Sequence, residues 1–146
     1  LRRQRQMCIR DRARGGYARS DVVIADRPIV YPRVLEADCL VAMSQSAYDR
    51  YTEELAPEAL VLYDEGLVNP REIEGVRQLG VPATAVAIRE LEARQAANMV
   101  MLGALAGVSG LVSREAILEA VASRSGRFRE VNLRGVKLGF SLGEGR

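Results

Sequence analysis

The chain has 146 residues, 48% hydrophobic and 27% charged, with a formal net charge of +2; this is the composition of one globular domain with a core of its own. It has no histidine and two cysteines, Cys8 and Cys39. That excludes Ser–His and Cys–His nucleophilic couples, a CxxC zinc ribbon, an iron–sulfur cluster held by this chain and a disulfide framework. No apolar run reaches the ~20 residues of a membrane-spanning helix.

Along the chain, Leu1–Arg12 is arginine-rich and has no apolar periodicity. Its second half, Met7-Cys8-Ile9-Arg10-Asp11-Arg12, resembles a translated sequencing-adapter scar, so residues 1–12 are set aside as non-native. The rival reading is a basic arm for nucleic acid or anionic lipid. No aromatic platform or basic stripe continues it, and the remainder of the chain is mildly acidic, so no nucleic-acid and no membrane partner is expected.

Ala13–Asp26 then runs from Arg14-Gly15-Gly16 into Val22-Val23-Ile24-Ala25, a short β-branched stretch expected to be a buried strand. Gly15 and Gly16 lack a Cβ, and Arg14 and Arg19 bring fork-shaped donors suited to carboxylate or phosphate. From these residues alone an ordinary glycine turn and an anion-contacting loop both stay open. Asp26-Arg27-Pro28 reads as a turn, Ile29-Val30-Tyr31 as a brief extended return ended by Pro32, and Val34–Ala37 as a connector. Cys39–Met43 is an unbroken apolar run, the signature of a strand buried on both faces of a parallel sheet, with Cys39 acting as a small hydrophobe. Ser44 or Ser46 can cap a helix over Ala47–Leu55, with Tyr48, Tyr51 and Leu55 on one face and the tyrosine hydroxyls wet.

Pro57 is expected to break that helix before a buried strand at Ala59–Tyr63 and a turn at Asp64-Glu65-Gly66. Val68–Gly80 carries no strong period. Val81–Ala87 reads as a strand in its later part, and Arg89–Leu105 as one helix with Leu91, Met99, Leu102 and Leu105 as its apolar stripe. Met99 and Met101 are packing residues. Gly103 and Gly107 have a small-xxx-small spacing suited to close helix packing. Asn98 interrupts the apolar face, where a buried amide must find a hydrogen-bond partner, in a neighbouring loop, a subunit contact or a cofactor. Ser113 is a good cap for a helix at Arg114–Ser123, with Glu115 at the positive end of its dipole. Ser125-Gly126 is a break, and a last helix over Phe128–Phe140 is weakened by Gly135 and Gly139.

Alternating buried strands and amphipathic helices give an α/β layered fold with a mostly parallel sheet. In such sheets ligands gather beyond the carboxyl ends of the strands. Ser44-Gln45-Ser46 and Asp64-Glu65-Gly66 fall on that edge, where each also has the plain reading of a cap and a turn.

Four pieces in order carry a resemblance: Ala13-Arg14-Gly15-Gly16 with Ser20 and Asp21–Ile24, Asp38–Gln45, Asn98–Leu105, and Asn132-Leu133 with Gly139-Phe140. Together they resemble the gamma subunit, or gamma domain, of the 2-oxoacid:ferredoxin (acceptor) oxidoreductase family, over about Ala13 to Gly143. The resemblance implies a Rossmann-like three-layer α/β domain over residues 13–143. The family's opening strand, G-x-G-G-Q-G-V type loop and helix have no counterpart here, so the domain is expected to lack its first strand-loop-helix. It further implies a subunit that is not self-sufficient, in a complex that decarboxylates a 2-oxoacid, 2-oxoglutarate or a branched-chain one, to its acyl-coenzyme A and passes electrons to ferredoxin. Thiamine diphosphate and iron–sulfur clusters would be held by alpha and beta subunits, with coenzyme A approaching the shared site and no cofactor bound by this chain alone. The site residues so implied are Arg14, Gly15, Gly16, Ser44, Gln45 and Asn98, with no catalytic residue and no metal ligand. A non-catalytic α/β interaction domain, an independent nucleotide-binding module and an indolepyruvate oxidoreductase subunit are the alternatives. The cysteine usage and the resemblance both point to the cytoplasm.

Overall fold

A computed structural model describes residues 18–26, 28–31, 33–124 and 126–144. The apolar run after Asp38 forms β1 (Ala37–Ala42), close to its expected place. Ser44 caps α1 (Gln45–Tyr51), its backbone extended and its Oγ accepting the Ala47 N–H at 3.2 Å. The helix stops earlier than expected, at Thr52, whose hydroxyl donates to the Tyr48 carbonyl at 2.8 Å. Leu55 therefore leaves the helix and opens β2 (Leu55–Asp64).

Pro57 lies inside β2, a position a ladder forbids unless the register slips. It slips here: Ala37 pairs with Leu55, but Cys39 already pairs with Leu60. The extra residues of β2 bulge, and Glu58 takes φ +60°. β3 (Arg77–Val81) comes from the stretch that showed no period. The three strands are parallel, in the order β1-β2-β3.

Four expectations are corrected. Val22–Ala25 joins no sheet among the described residues, and Ile29-Val30-Tyr31 forms no strand. Val81–Ala87 is a strand only at Val81; Ala83–Leu91 is α2. Alanine at Ala83, Ala85 and Ala87 favours helix more strongly than Thr84 and Val86 favour strand. The long helix over Arg89–Leu105 is broken. Glu92 ends α2 with φ +52°, a 3₁₀ turn follows at Arg94–Ala96, and α3 spans Ala97–Ser109. Neither glycine nor proline marks that break in the sequence. α4 (Arg114–Arg124) begins as expected, with Ser113 Oγ accepting the Ala116 N–H at 3.2 Å. α5 (Arg129–Gly143) runs past Phe140.

The sheet separates two cores. On one face Tyr48 of α1 packs with Ala42, Val61 and Val68. On the other Leu62 and Val81 meet Val86, Ala87 and Leu91 of α2 and Val100, Met101 and Ala104 of α3. Successive residues Val61 and Leu62 are both fully buried, as a strand covered on both sides requires. A third cluster, Ala106, Val121, Val136 and Phe140, joins α3 to α4 and α5. This is the α/β three-layer arrangement with a parallel sheet that the sequence implied. Among the described residues no helix is long and apolar enough to cross a membrane.

Gly135 and Gly139 do not weaken α5; they let it reach α3. A Cβ on Gly139 would collide with the Val100 carbonyl oxygen and lie 2.9 Å from the Gly103 Cα. A Cβ on Gly103 would collide with the Val136 carbonyl, and one on Gly143 would lie 2.5 Å from the Ala104 carbonyl oxygen. Backbone cannot yield as a side chain can, so Gly103→Ala and Gly139→Ala should each cost about 1–3 kcal/mol or more in chemical denaturation. Gly66→Ala, whose Cβ would meet only Asp64 Oδ1 at 3.5 Å, should be near neutral. Equal stability for all three would contradict this packing.

Candidate functional site

Because the strands are parallel, β1, β2 and β3 all end on one edge of the sheet, at Ala42, Asp64 and Val81. The segment leaving each of β1 and β2 is held there by specific bonds. After β1, Ser44 is exposed, with its Oγ 3.2 Å from Ser46 Oγ. Gln45 is half-buried and clasps the loop after β2: its Oε1 accepts the Asn69 N–H at 2.7 Å, and its Nε2 donates to the Asn69 carbonyl at 3.3 Å and to Asp49 at 2.9 Å. One side-chain amide thus copies a backbone pair and fixes the loop against α1.

Asp64 ends β2 with its side chain fully buried. One carboxylate oxygen accepts both the Thr84 N–H (2.9 Å) and the Thr84 hydroxyl (2.6 Å); the other accepts the Gly66 N–H at 3.1 Å. The N-cap residue of α2 is Pro82, which offers no side-chain cap. Asp64 does that work from the neighbouring strand, placing a negative group at the helix's positive end. The Asp64-Glu65-Gly66 turn is therefore also a buried anchor for α2. The sequence carried a signal for this, an aspartate at the close of a buried apolar run, but no signal for its partner.

Tyr48 is also fully buried, and its hydroxyl is not wet as expected. It donates to Gln78 Oε1 at 2.5 Å and accepts the Arg71 N–H at 3.2 Å, while Gln78 Nε2 donates to the Arg71 carbonyl and Arg71 to Thr52 Oγ1. This network ties the 65–76 connection to α1 and β3.

Arg14, Gly15 and Gly16 lie outside the described residues. Ser44 and Gln45 share the carboxyl edge of the sheet. Asn98 does not occupy a buried apolar face: it is exposed in the first turn of α3, and its Oδ1 accepts the Met99 N–H at 2.8 Å. Met101 is buried and Met99 half-buried, both in packing roles. Cys39 is half-buried, and burial, then the charge of Asp38, pushes its thiol up to about 11. A thiol held protonated at neutral pH is a weak nucleophile. Among the described residues no group of three or more His, Cys, Asp or Glu could hold a metal ion.

Beside β1 lies a cavity of about 550 Å³, floored by Cys39, Val41, Leu102 and Leu105. Arg19 closes one end, donating to Asp21 (2.6 Å), Glu54 (3.3 Å) and the Val34 carbonyl (3.2 Å), with its guanidinium 4.6 Å from the Tyr51 ring centre. These groups are already partnered. The carboxyl edge offers hydroxyls, amides and backbone, which suit binding and orientation better than bond cleavage.

Residues 10–142 match the profile of the pyruvate ferredoxin/flavodoxin oxidoreductase family. The chain is 40% identical over 111 residues to the 2-oxoglutarate synthase subunit KorC of Methanocaldococcus jannaschii, a match covering 75% of this chain and 59% of that protein. The chain thus spans about three-fifths of the length of that relative. Among solved structures it resembles the gamma subunit of a keto/oxoacid ferredoxin oxidoreductase from Geobacter sulfurreducens, with a TM-score of 0.79, 29% identity and 96% of this chain and 79% of that one covered. It also resembles the 2-oxoglutarate:ferredoxin oxidoreductase of Magnetococcus marinus, solved with 2-oxoglutarate, coenzyme A and succinyl-CoA, with a TM-score of 0.65, 26% identity and 73% and 19% coverage.

Asp64→Ala would strand three donors in a buried site, so it should destabilise the chain by about 2–5 kcal/mol in denaturant titration. A loss below about 0.5 kcal/mol, the range of an ordinary surface substitution, would refute the capping role. In a Cys8→Ser background, Cys39 should alkylate slowly at pH 8 and speed up only as pH rises toward about 11. Rapid labelling already saturating by pH 9 would show that burial does not hold the thiol protonated.

Proposed function

The chain belongs to the pyruvate ferredoxin/flavodoxin oxidoreductase family, and on that premise we propose that it serves as the gamma subunit of a 2-oxoglutarate:ferredoxin oxidoreductase. The complex would decarboxylate 2-oxoglutarate with thiamine diphosphate, transfer the acyl group to coenzyme A and pass the electrons to ferredoxin. Likeness to a gamma subunit across nearly the whole chain is the observation that carries this reading. The name and bound compounds of the 2-oxoglutarate relatives support that acid over a branched-chain one.

The donor set bears on which partner holds what. The sequence has no histidine, and Cys39, the free cysteine among the described residues, has a thiol that resists ionisation. These residues do not fit a cluster, whose sulfur ligands are thiolates. The iron–sulfur clusters and thiamine diphosphate are therefore assigned to alpha and beta subunits, in a cytoplasmic complex. This chain's part is to shape the approach to the active site. Gln45 holds the 65–76 loop against α1, Asp64 holds the start of α2, and Ser44 presents an exposed hydroxyl beside them.

Arg14, Gly15 and Gly16, with Ser44, Gln45 and Asn98, are proposed to meet the bound ligand or the partner subunit that carries it. Arg14 would meet an anionic group, on 2-oxoglutarate, coenzyme A or a partner carboxylate. A charge-assisted hydrogen bond is worth about 1.5–3 kcal/mol. In the assembled complex Arg14→Ala should accordingly raise the KM for 2-oxoglutarate or coenzyme A about 10- to 100-fold, or weaken subunit assembly, with partial recovery in Arg14→Lys. Unchanged turnover, KM values and assembly would remove Arg14 from the site.

A further inference from the structure

Charge is sorted by place in this molecule. Arg124 closes α4, Arg127 and Phe128 lie in a 3₁₀ turn at Gly126–Phe128, and Arg129 opens α5. Arg134 and Lys137 follow on α5, and Glu130 is the one acidic residue in the 126–137 stretch. Residues 36–76, which contain β1, α1 and β2, hold ten acidic residues against two basic ones, Arg50 and Arg71. The two groups belong to opposite sides of the sheet. α1 and the 65–76 connection pack on one face, while α3, with α4 and α5 against it, packs on the other.

The basic cluster contributes little to the fold. Arg50, Arg89 and Arg114 each pair with a carboxylate. Among the described residues Arg124, Arg127, Arg129 and Lys137 pair with none. Arg129 stands in the first turn of α5, where the helix dipole disfavours a cation. The 3₁₀ turn buries no residue, and α4 buries only Val121. Stability therefore does not account for these cations. Phe128 lies among them, 46% exposed, with the Arg127 guanidinium 4.7 Å from its ring centre. Aromatic residues and arginine are the types enriched where proteins meet. An arginine stacked on a ring is also partly ordered before a partner arrives.

We infer that this end of the molecule docks on an acidic surface of a companion subunit, through Phe128 and the surrounding Arg124, Arg127 and Arg129. The inference rests on the proposed place of the chain in a multi-subunit complex. The planar donor forks of arginine match carboxylates. The cluster is short and interrupted by Glu130, so it fits a patch of carboxylates on a protein better than a continuous phosphate backbone. The acidic face of a second copy offers the same charge. That contact would be head-to-tail, however, and such contacts repeat without end unless they close into a ring. A different polypeptide satisfies the cluster once. Opposite charge on opposite faces also orients the chain as it approaches, an effect that speeds association and fades with salt.

The test is the binding kinetics of the gamma polypeptide that contains these residues with its alpha and beta subunits, at about 0.05 M and about 0.5 M salt. Association should slow about tenfold or more across that range. The triple variant Arg124→Glu, Arg127→Glu, Arg129→Glu should bind about 100-fold more weakly at low salt, with its melting temperature nearly unchanged, since no buried contact is lost. Phe128→Ala should act mainly by speeding dissociation. Arg77→Glu with Arg94→Glu, exposed cations outside the cluster, should change binding less than about threefold. Binding indifferent to the triple reversal, or equally sensitive to the Arg77 and Arg94 pair, would overturn the inference and leave the functional reading standing. Failure of the unmodified polypeptide to join the subunits at either salt would overturn both. Intact assembly with a raised KM for ferredoxin would give the surface to the electron acceptor. Salt-sensitive self-association, lost in the triple variant, would give it to a second copy. Either result would overturn a subunit as the occupant.

Discussion

At Gly103 and Gly139 the backbones of α3 and α5 touch, with no side chain between them. Much else depends on that contact. It brings Val136 and Phe140 against Ala106 and Val121, so α4 acquires a surface to pack on. The side chains of Val100, Met101 and Ala104 in the same helix pack in the core beneath the sheet. The helical layer is thus two deep behind one face, while α1 and the 65–76 connection cover the other. Dense packing of this kind leaves the sheet's carboxyl edge as a fixed platform. The pieces that could touch a ligand are then short loops, each held by a few bonds.

Those bonds share a logic. Gln45 stands in for a backbone pair with Asn69, and Asp64 stands in for the missing cap of α2. Each links strand–helix junctions through one side chain, Asp64 fully buried and Gln45 half-buried. Both bonds hold a loop or helix start in place at the carboxyl edge of the sheet. The proposed function divides the labour: reactive cofactors would belong to companion subunits, and this chain would shape the approach to them.

Much of this was legible in the amino-acid order. Cys39–Met43 and Ala59–Tyr63 are apolar runs too short for helices, and both fall on strands, the first overrunning its strand by one residue. Ser44 and Ser113 are caps because their hydroxyls have a helix N–H within reach. What escaped was set by partners distant in sequence. Gln78-Leu79-Gly80 shows no period, and becomes strand because β2 offers it a ladder. Ala83–Leu91 is helical because Asp64 caps it and alanines tolerate it, although Val86 argued for strand. Val22–Ala25 has strong strand character but no ladder among the described residues, so composition alone misjudged it. Gly139 looked like a weakness because a sequence cannot reveal the Val100 carbonyl facing it. At the candidate site, Ser44 and Gln45 were legible from their place after a buried strand, whereas Asn98 was misread as buried because its neighbours are apolar.

The functional reading turns on this chain being a helper layer in a 2-oxoacid oxidoreductase. The most direct measurement is ferredoxin reduction by alpha and beta subunits supplied with 2-oxoglutarate and coenzyme A, with and without the gamma polypeptide that contains these residues. Reduction is expected only when that polypeptide is added, and none from the polypeptide alone. Full activity without it, or turnover of 2-oxoglutarate by it unaided, would contradict that role.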